Sequence, residues 1–304
     1  MIRPAGRLIV FALVILLPPW SASAQTAPTP AVTKPAENPP PPLFPKHRRG
    51  LYINGEKLEV IDATPQSPPL ETDDPSVPDP GEYEINRLTD ADLGVDARKI
   101  DVVTVDANYG MMLRGWGHQL PTQLKFEFPV VAAKETGTPY EIGAGNSAFG
   151  LKFNFYNDES RGLRLSVYPQ LEFSTGDSAE KGVADPGQTL VLPVLVSHES
   201  KYVTLVGNAG LSQAIHDADR GTTADLGVGI GRAFFRKLAV MADLRTSCSA
   251  DFSRDRLVFT SLGFIYGVRK SIWYARAGHS FFSDDGRHMY VGLGMKLLID
   301  TAHR

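Results

Sequence analysis

From Gly81 to its end, the chain repeats a single pattern in which apolar and polar residues alternate with a period of two. In "TQLKFEFPV" (122–130), Thr122, Leu124, Phe126, Phe128 and Val130 fall on one side, while Gln123, Lys125 and Glu127 fall on the other. In "GLRLSVYPQLEF" (162–173), Leu163, Leu165, Val167, Leu171 and Phe173 oppose Arg164, Ser166, Tyr168, Gln170 and Glu172. Successive side chains of an extended strand point to opposite faces, so each segment reads as a strand with one apolar face and one polar face. Twelve such strands are expected, near 82–93, 100–111, 119–131, 142–157, 162–174, 187–198, 201–213, 223–234, 238–248, 256–267, 271–282 and 287–299. No helical periodicity interrupts them. "GQTLVLPVLVS" (187–197) fits less well, because both of its faces are apolar.

The glycine-rich "GAGNSAFGLKFNFYND" (143–158) has the look of a phosphate cradle. A dinucleotide fingerprint needs its three glycines at fixed spacing before a helix. Here the third glycine, Gly150, comes too late, and Phe149, Leu151, Phe153 and Phe155 then alternate as in a strand. Gly143 and Gly145 are therefore read as bending a curved strand.

The polar faces decide between a soluble sandwich and a membrane barrel. A sandwich turns its polar face to bulk water and carries long charged residues there. Here that face is rich in glycine, serine, alanine and asparagine, as in "GVGIG" (227–231). Small residues suit a confined, curved interior. Its charges are of both signs: Lys125 with Glu127, Arg164 with Glu172, Asp243 with Arg245. Lys125, Glu127, Lys152, Asn154, Arg164, Glu172, Asp225, Asp243, Arg245 and Arg276 are the candidate lumen-lining residues. Phe128, Phe149, Phe173, Phe234, Phe281 and Tyr290 sit near strand ends, where interfacial aromatic girdles belong. About 220 residues over twelve strands leave about 18 for each strand and its connection, enough for membrane strands of about 9–11 residues. The fold class is all-β, a transmembrane antiparallel up-and-down barrel of about twelve strands.

The N-terminus points to the same compartment. "MIRPAGRLIVFALVILLPPWSASAQ" has a basic start, an apolar run and a small-residue cleavage site, so residues 1–24 read as a secretory signal peptide. Residues 25–80 are proline-rich and read as a periplasmic linker too poor in apolar surface to fold. "LYINGEKLEVID" interrupts them as a short hairpin turning at Asn54-Gly55. The basic cluster Lys46, His47, Arg48 and Arg49 reads as a solvated tether. Residues 81–304 are the barrel. The lone Cys248 excludes an intramolecular disulfide framework. Without Arg3 and Arg7, 29 Lys and Arg face 34 Asp and Glu, a balance that gives nucleic acid no purchase.

Several blocks carry a family resemblance: "PGEYEIN", "GAGNSAFGLKFNFYNDES", "LSVYPQLEFSTGD", and "LVLPVLVS" followed by "LVGNAG". Over residues 80–298 the chain resembles the outer-membrane barrels grouped as the meta-pathway of phenol degradation family. The resemblance implies a barrel that passes small hydrophobic or aromatic compounds, and it brings no catalytic residues. The chain differs in continuing past Leu298 to "IDTAHR" instead of closing on an aromatic residue.

Catalysis is not expected. "AGHSFFSDDG" (277–286) offers His279, Ser280, Ser283, Asp284 and Asp285, but His279 and Ser280 point to opposite faces of one strand. Two loop carboxylates also fall short of the six to eight oxygens of a calcium site. No cofactor or metal is expected. The expected partners are outer-membrane lipid and lipopolysaccharide, the barrel-insertion machinery and a small hydrophobic solute. The function reads as a channel or transporter, with a structural or adhesive barrel of plugged lumen as the alternative and a lipid hydrolase behind both. Connections after odd-numbered strands are longer than those after even-numbered ones, which places both termini in the periplasm.

Overall fold

A computed structural model of the chain describes residues 49–53, 56–95, 97–115, 118–200, 202–215, 220–251, 256–268, 271–284 and 286–300. Residues 1–24, read above as a signal peptide, and the stretch 25–48 lie outside the described residues, as do Asn54, Gly55 and Asp285. The hairpin is formed: β1 (Arg49–Ile53) pairs antiparallel with β2 (Glu56–Val60), with Ile53 opposite Glu56. The next strands are β3 (Glu82–Gly94), β4 (Ala97–Gly115), β5 (His118–Glu135), β6 (Glu141–Ala144), β7 (Ser147–Asp158), β8 (Leu163–Val167) and β9 (Gln170–Phe173). They are followed by β10 (Gln188–Glu199), β11 (Thr204–Ile215), β12 (Thr222–Phe235), β13 (Leu238–Ser249), β14 (Leu257–Val268), β15 (Ser271–Ser283) and β16 (His288–Asp300).

Apart from the short strands β6 to β9, each strand from β3 onward pairs antiparallel with its sequence neighbours, and β16 pairs with β3 from Gly94–His288 to Glu82–Asp300. The sheet is thereby closed into a ring. β6 and β7 together fill one place in the ring, since β5 pairs with both. β8 and β9 fill another against β10. The result is a closed, antiparallel barrel of twelve strands, the fold class expected from the sequence.

The two broken strands have a local cause. Pro169 has no amide proton to give the ladder, so the pairing steps around it. The Tyr168 amide donates to Pro193 O (3.0 Å) and the Leu151 amide to Pro169 O (3.0 Å). At the first break the Gly145 amide donates to Pro129 O (2.9 Å). A bulge in β4, between Asp101 and Val103, switches which parity faces inward. Lys99 and Asp101 face the interior before it; Thr104, Asp106 and Asn108 do so after it.

Polarity runs opposite to that of a soluble protein. Leu226, Val228 and Ile230 are about half exposed on the outside of β12, as are Leu192 and Val194 on β10. Asn86, Asp106, Asn108, Lys152, Asn154, Ser166, Asp243, Ser261 and Lys296 are buried inside. Hydrocarbon around the wall and polar groups within it account for this arrangement. Phe128, Phe149, Phe234 and Phe281 face outward as expected. Tyr290 does not: it turns inward, its ring edge-on to Phe259 with centroids 4.6 Å apart.

The linker reading of 25–80 needs correction over its last third. Residues 61–80 thread the barrel interior as a plug. The Ile61 amide donates to Arg236 O (2.8 Å) at the turn between β12 and β13, and the Gly81 amide donates to Gly110 O (2.8 Å) near the end of β4. The segment thus enters and leaves at the rim that carries the short turns. Its apolar base, Ile61, Ala63 and Leu70, packs with Ala239, Met241, Ile265 and Tyr274. The linker reading assumed that the segment must bury a core of its own, whereas the barrel wall supplies the partners. Pro65, Pro68, Pro69, Pro75, Pro78 and Pro80 remove six amide donors that would otherwise need acceptors inside the lumen.

The register sets a test of stability. Val228→Arg on the outer face should destabilise the folded barrel by about 2–4 kcal/mol in lipid vesicles. Ser212→Arg, on the inner face, should be milder. Denaturant titration of both variants decides, and equal effects would contradict the assigned faces.

Candidate functional site

The plug and the wall divide the interior into two spaces. On the side of the longer connections lies a cavity of about 520 Å³, a vestibule floored by Glu71, Thr72 and Asp73. Beneath it, between plug and wall, is only a narrow gap of about 50 Å³ beside Lys152, Tyr168 and Lys296. The longest connection, 174–187, is on the vestibule side, whereas the turns 236–237 and 200–203 are on the other.

The apex of the plug is held by one carboxylate. Asp243 Oδ2 accepts from the Glu71 amide (3.0 Å), the Thr72 amide (3.1 Å) and Thr72 Oγ1 (3.0 Å). Its other oxygen accepts from Ser261 Oγ. The Glu71 side chain then reaches two guanidinium groups, Arg245 at 3.3 Å and Arg276. Arg245 also pairs with Asp225 (2.9 Å), and Arg276 with Asp90 (2.8 Å). Asn208 clasps the next residue from both sides: it accepts from the Asp73 amide (2.8 Å) and donates to its carbonyl (2.8 Å).

The descending arm of the plug meets the opposite wall. Lys152 Nζ donates to Asp74 O (2.8 Å), lies 3.8 Å from the carboxylates of Asp73 and Asp74, and sits 4.6 Å over the Tyr168 ring. Asn154 and Ser166 both donate to Pro75 O, and Arg164 NH1 donates to Ser76 Oγ (3.4 Å). Lys296 Nζ joins Gln66 Oε1 (2.8 Å) to Glu84 (2.8 Å). The glycines of "GVGIG" make room for the ascending arm. A Cβ at Gly229 would come within 2.7 Å of Pro65, and one at Gly231 would overlap the Ala63 carbonyl oxygen.

These contacts place each residue singled out in the sequence. Lys125 pairs with Glu127 (2.7 Å) beside the vestibule, which Glu172, Asp225 and Arg245 also line. Lys152, Asn154, Arg164, Asp243, Arg245 and Arg276 contact the plug. Arg164 reaches Glu199 (3.9 Å) and not Glu172, and Asp243 holds the plug backbone and not Arg245. Sequence reasoning missed Glu71, Thr72, Asp73, Asn208, Asp90 and Lys296. For Asn208 and Lys296 the signal was available, since both lie on the polar face of alternating strands. Glu71 carried no such signal, because a segment without periodicity does not declare what surrounds it.

The residues weighed for catalysis are otherwise engaged. Ser280 is fully buried; it accepts from the His288 amide (2.7 Å), while His279 is exposed on the other face. His288 pairs with Asp92 at 2.9 Å, so the histidine held by a carboxylate is not the one next to the serine in sequence. In the loop after β15, the hydrogen bond from the Arg256 guanidinium holds the Asp284 carboxyl below the usual carboxylate range. That pair, at 3.1 Å, ties one loop to the next.

Structure comparison finds the same architecture elsewhere. The chain is similar to a crystallised outer membrane channel from Pseudomonas putida F1, with a TM-score of 0.60 at 9% identity, covering 74% of this chain and 97% of that one. The NanC porin (TM-score 0.47, 8% identity, 70% and 98% covered) and the KdgM porin (0.45, 8%, 70% and 98%) are more distant. No family model matches the chain, and no curated relative does.

The Asp243 clasp generates a prediction. Asp243→Ala removes three hydrogen bonds from the plug apex to a carboxylate and should weaken plug docking by about 3–6 kcal/mol. Limited proteolysis of the folded protein should then cut within 61–80 while sparing the wall. A plug as protected as in the parent protein would show that Asp243 does not hold it. At these identities the likeness to known structures is one of fold, and the fold is a closed, antiparallel β-barrel of twelve strands, similar to that of the Pseudomonas putida F1 channel.

Proposed function

We propose that the protein is an outer-membrane channel for small solutes with an apolar or aromatic body, held closed by its own plug. The observation that carries this reading is the vestibule of about 520 Å³, open to the longer connections and floored by the plug apex. A structural barrel has no need of a solute-sized chamber above its filling. The apolar inner face of β10, with Val191, Pro193 and Leu195 bordering the vestibule, supports a solute with an apolar body. The family resemblance over residues 80–298 points the same way. The ion pairs that cross the lumen through Glu71 favour the second reading, a structural barrel with a permanently filled interior.

Conductance in planar bilayers separates the two. The parent protein should conduct little, whereas Asp243→Ala and, independently, Gly231→Val should open pores by displacing the plug. If both variants expose residues 61–80 to protease yet conduct no better than the parent, the structural reading stands.

The same reading sets the orientation. Barrels in this membrane carry longer loops outside and shorter turns in the periplasm, so the plug is entered from the periplasm. With Cys248 replaced, a cysteine at the exposed Glu180 should react with an impermeant reagent on intact cells, and one at the exposed Glu159 should not. The reverse pattern would invert the topology.

A further inference from the structure

The vestibule wall leaves two of its carboxylates without an ion-pair partner, and these point to a class of solute. Its lining includes six carboxylates and four cationic side chains. The cations are mostly spoken for. Lys125 holds Glu127 at 2.7 Å, Arg245 holds Asp225 at 2.9 Å and Glu71 at 3.3 Å, and Arg220 reaches Asp185 at 3.7 Å. Lys99 is exposed at the rim. Among the described residues, Asp101 and Glu172 have no cation within ion-pair distance, and Asp101 Oδ1 is buried without a hydrogen-bond donor.

The second observation is independent of charge. β10 is apolar on both faces, a feature that lipid contact explains for only one of them. Leu190, Leu192, Val194 and Val196 face outward, so Val191, Pro193 and Leu195 face the lumen, where water alone would favour polar residues. Glu172 pairs with Thr189 in the ladder between β9 and β10, which sets this carboxylate beside the head of the apolar stripe. A carboxylate beside an apolar strip suits one kind of molecule, an apolar body bearing a positive charge.

We infer that the vestibule is a binding site for small organic cations, a protonated amine on an aromatic or aliphatic body. The ammonium group is held by Glu172, and the body lies on Val191 and Pro193; Asp101, three strands away on β4, adds only to the negative field of the wall. This inference rests on the channel reading and names its solute class. An anion would meet the two unpaired carboxylates, and of the four cations that line the wall only Lys99, at the exposed rim, has no ion pair among the described residues. A neutral solute would gain the apolar contact and leave the carboxylates unanswered.

The test is equilibrium binding to the folded, detergent-solubilised full chain, which does not depend on whether the pore conducts. The probes are benzylamine, benzyl alcohol and benzoate at neutral pH, measured by calorimetry. Benzylamine should bind best and benzoate worst. Glu172→Gln should weaken benzylamine about tenfold or more while leaving benzyl alcohol nearly unchanged, because only the charged hydrogen bond is lost. Val191→Ser should weaken benzylamine and benzyl alcohol together. Asp101→Asn guards against a misfolded Glu172 variant, and it too should lower benzylamine affinity selectively. Benzoate binding as tightly as benzylamine, no binding of any probe, or benzylamine affinity indifferent to both carboxamide variants would overturn the inference. Binding without conductance in plug-released variants would instead count against the channel and leave the site standing.

Discussion

Closure of the wall between β3 and β16 is the constraint from which everything else follows. In hydrocarbon an unpaired backbone group costs several kcal/mol, so a sheet there has no tolerable edge. Closing it satisfies the ladder and creates an inside. That inside then has its own requirements: polar side chains removed from bulk water need partners, and twelve strands enclose more space than side chains of this size fill. The chain answers with a segment of itself. The plug brings backbone carbonyls to Lys152, Asn154 and Ser166, amides to Asp243 and Asn208, and a carboxylate to Arg245 and Arg276.

The plug and wall differ in how they are stabilised. The wall rests chiefly on ladder pairing between backbones, which spreads its stability over all twelve places in the ring. The plug has no ladder. Its base is a small apolar cluster and its apex a set of charge-assisted hydrogen bonds, so its docking is concentrated in a few residues. Those bonds also lie next to the vestibule, which Glu71, Thr72 and Asp73 floor. The arrangement concentrates the docking of the plug at the floor of that cavity.

Much of this was legible in the sequence, because strand periodicity is a local signal that a curved wall preserves. The twelve segments read from alternation fall within a few residues of the observed strands, and Lys152, Asn154, Arg164, Asp243, Arg245 and Arg276, singled out from their polar faces, contact the plug. Legibility failed where the cause was not local. The bulge in β4 changes parity between Asp101 and Thr104, so Asp106 and Asn108 look inward though alternation from Asp101 alone would turn them out. Residues 61–80 have the composition of a linker and become ordered only because a wall formed far along the chain surrounds them. "GVGIG" carried a hint of this. A face of glycine was read as bare, and it is bare because Pro65 and Ala63 lie against it.

One feature of the plug bears on how such a molecule is assembled. Its two arms meet the same rim, at Arg236 and at Gly110, so it is a bight and not a thread. A bight can be pushed into a finished ring or drawn out of it with neither chain end passing through. Wall and filling are therefore separable in time. The strands can close first around an empty interior, and the loop can then be seated, withdrawn and seated again without a single ladder bond of the wall being broken.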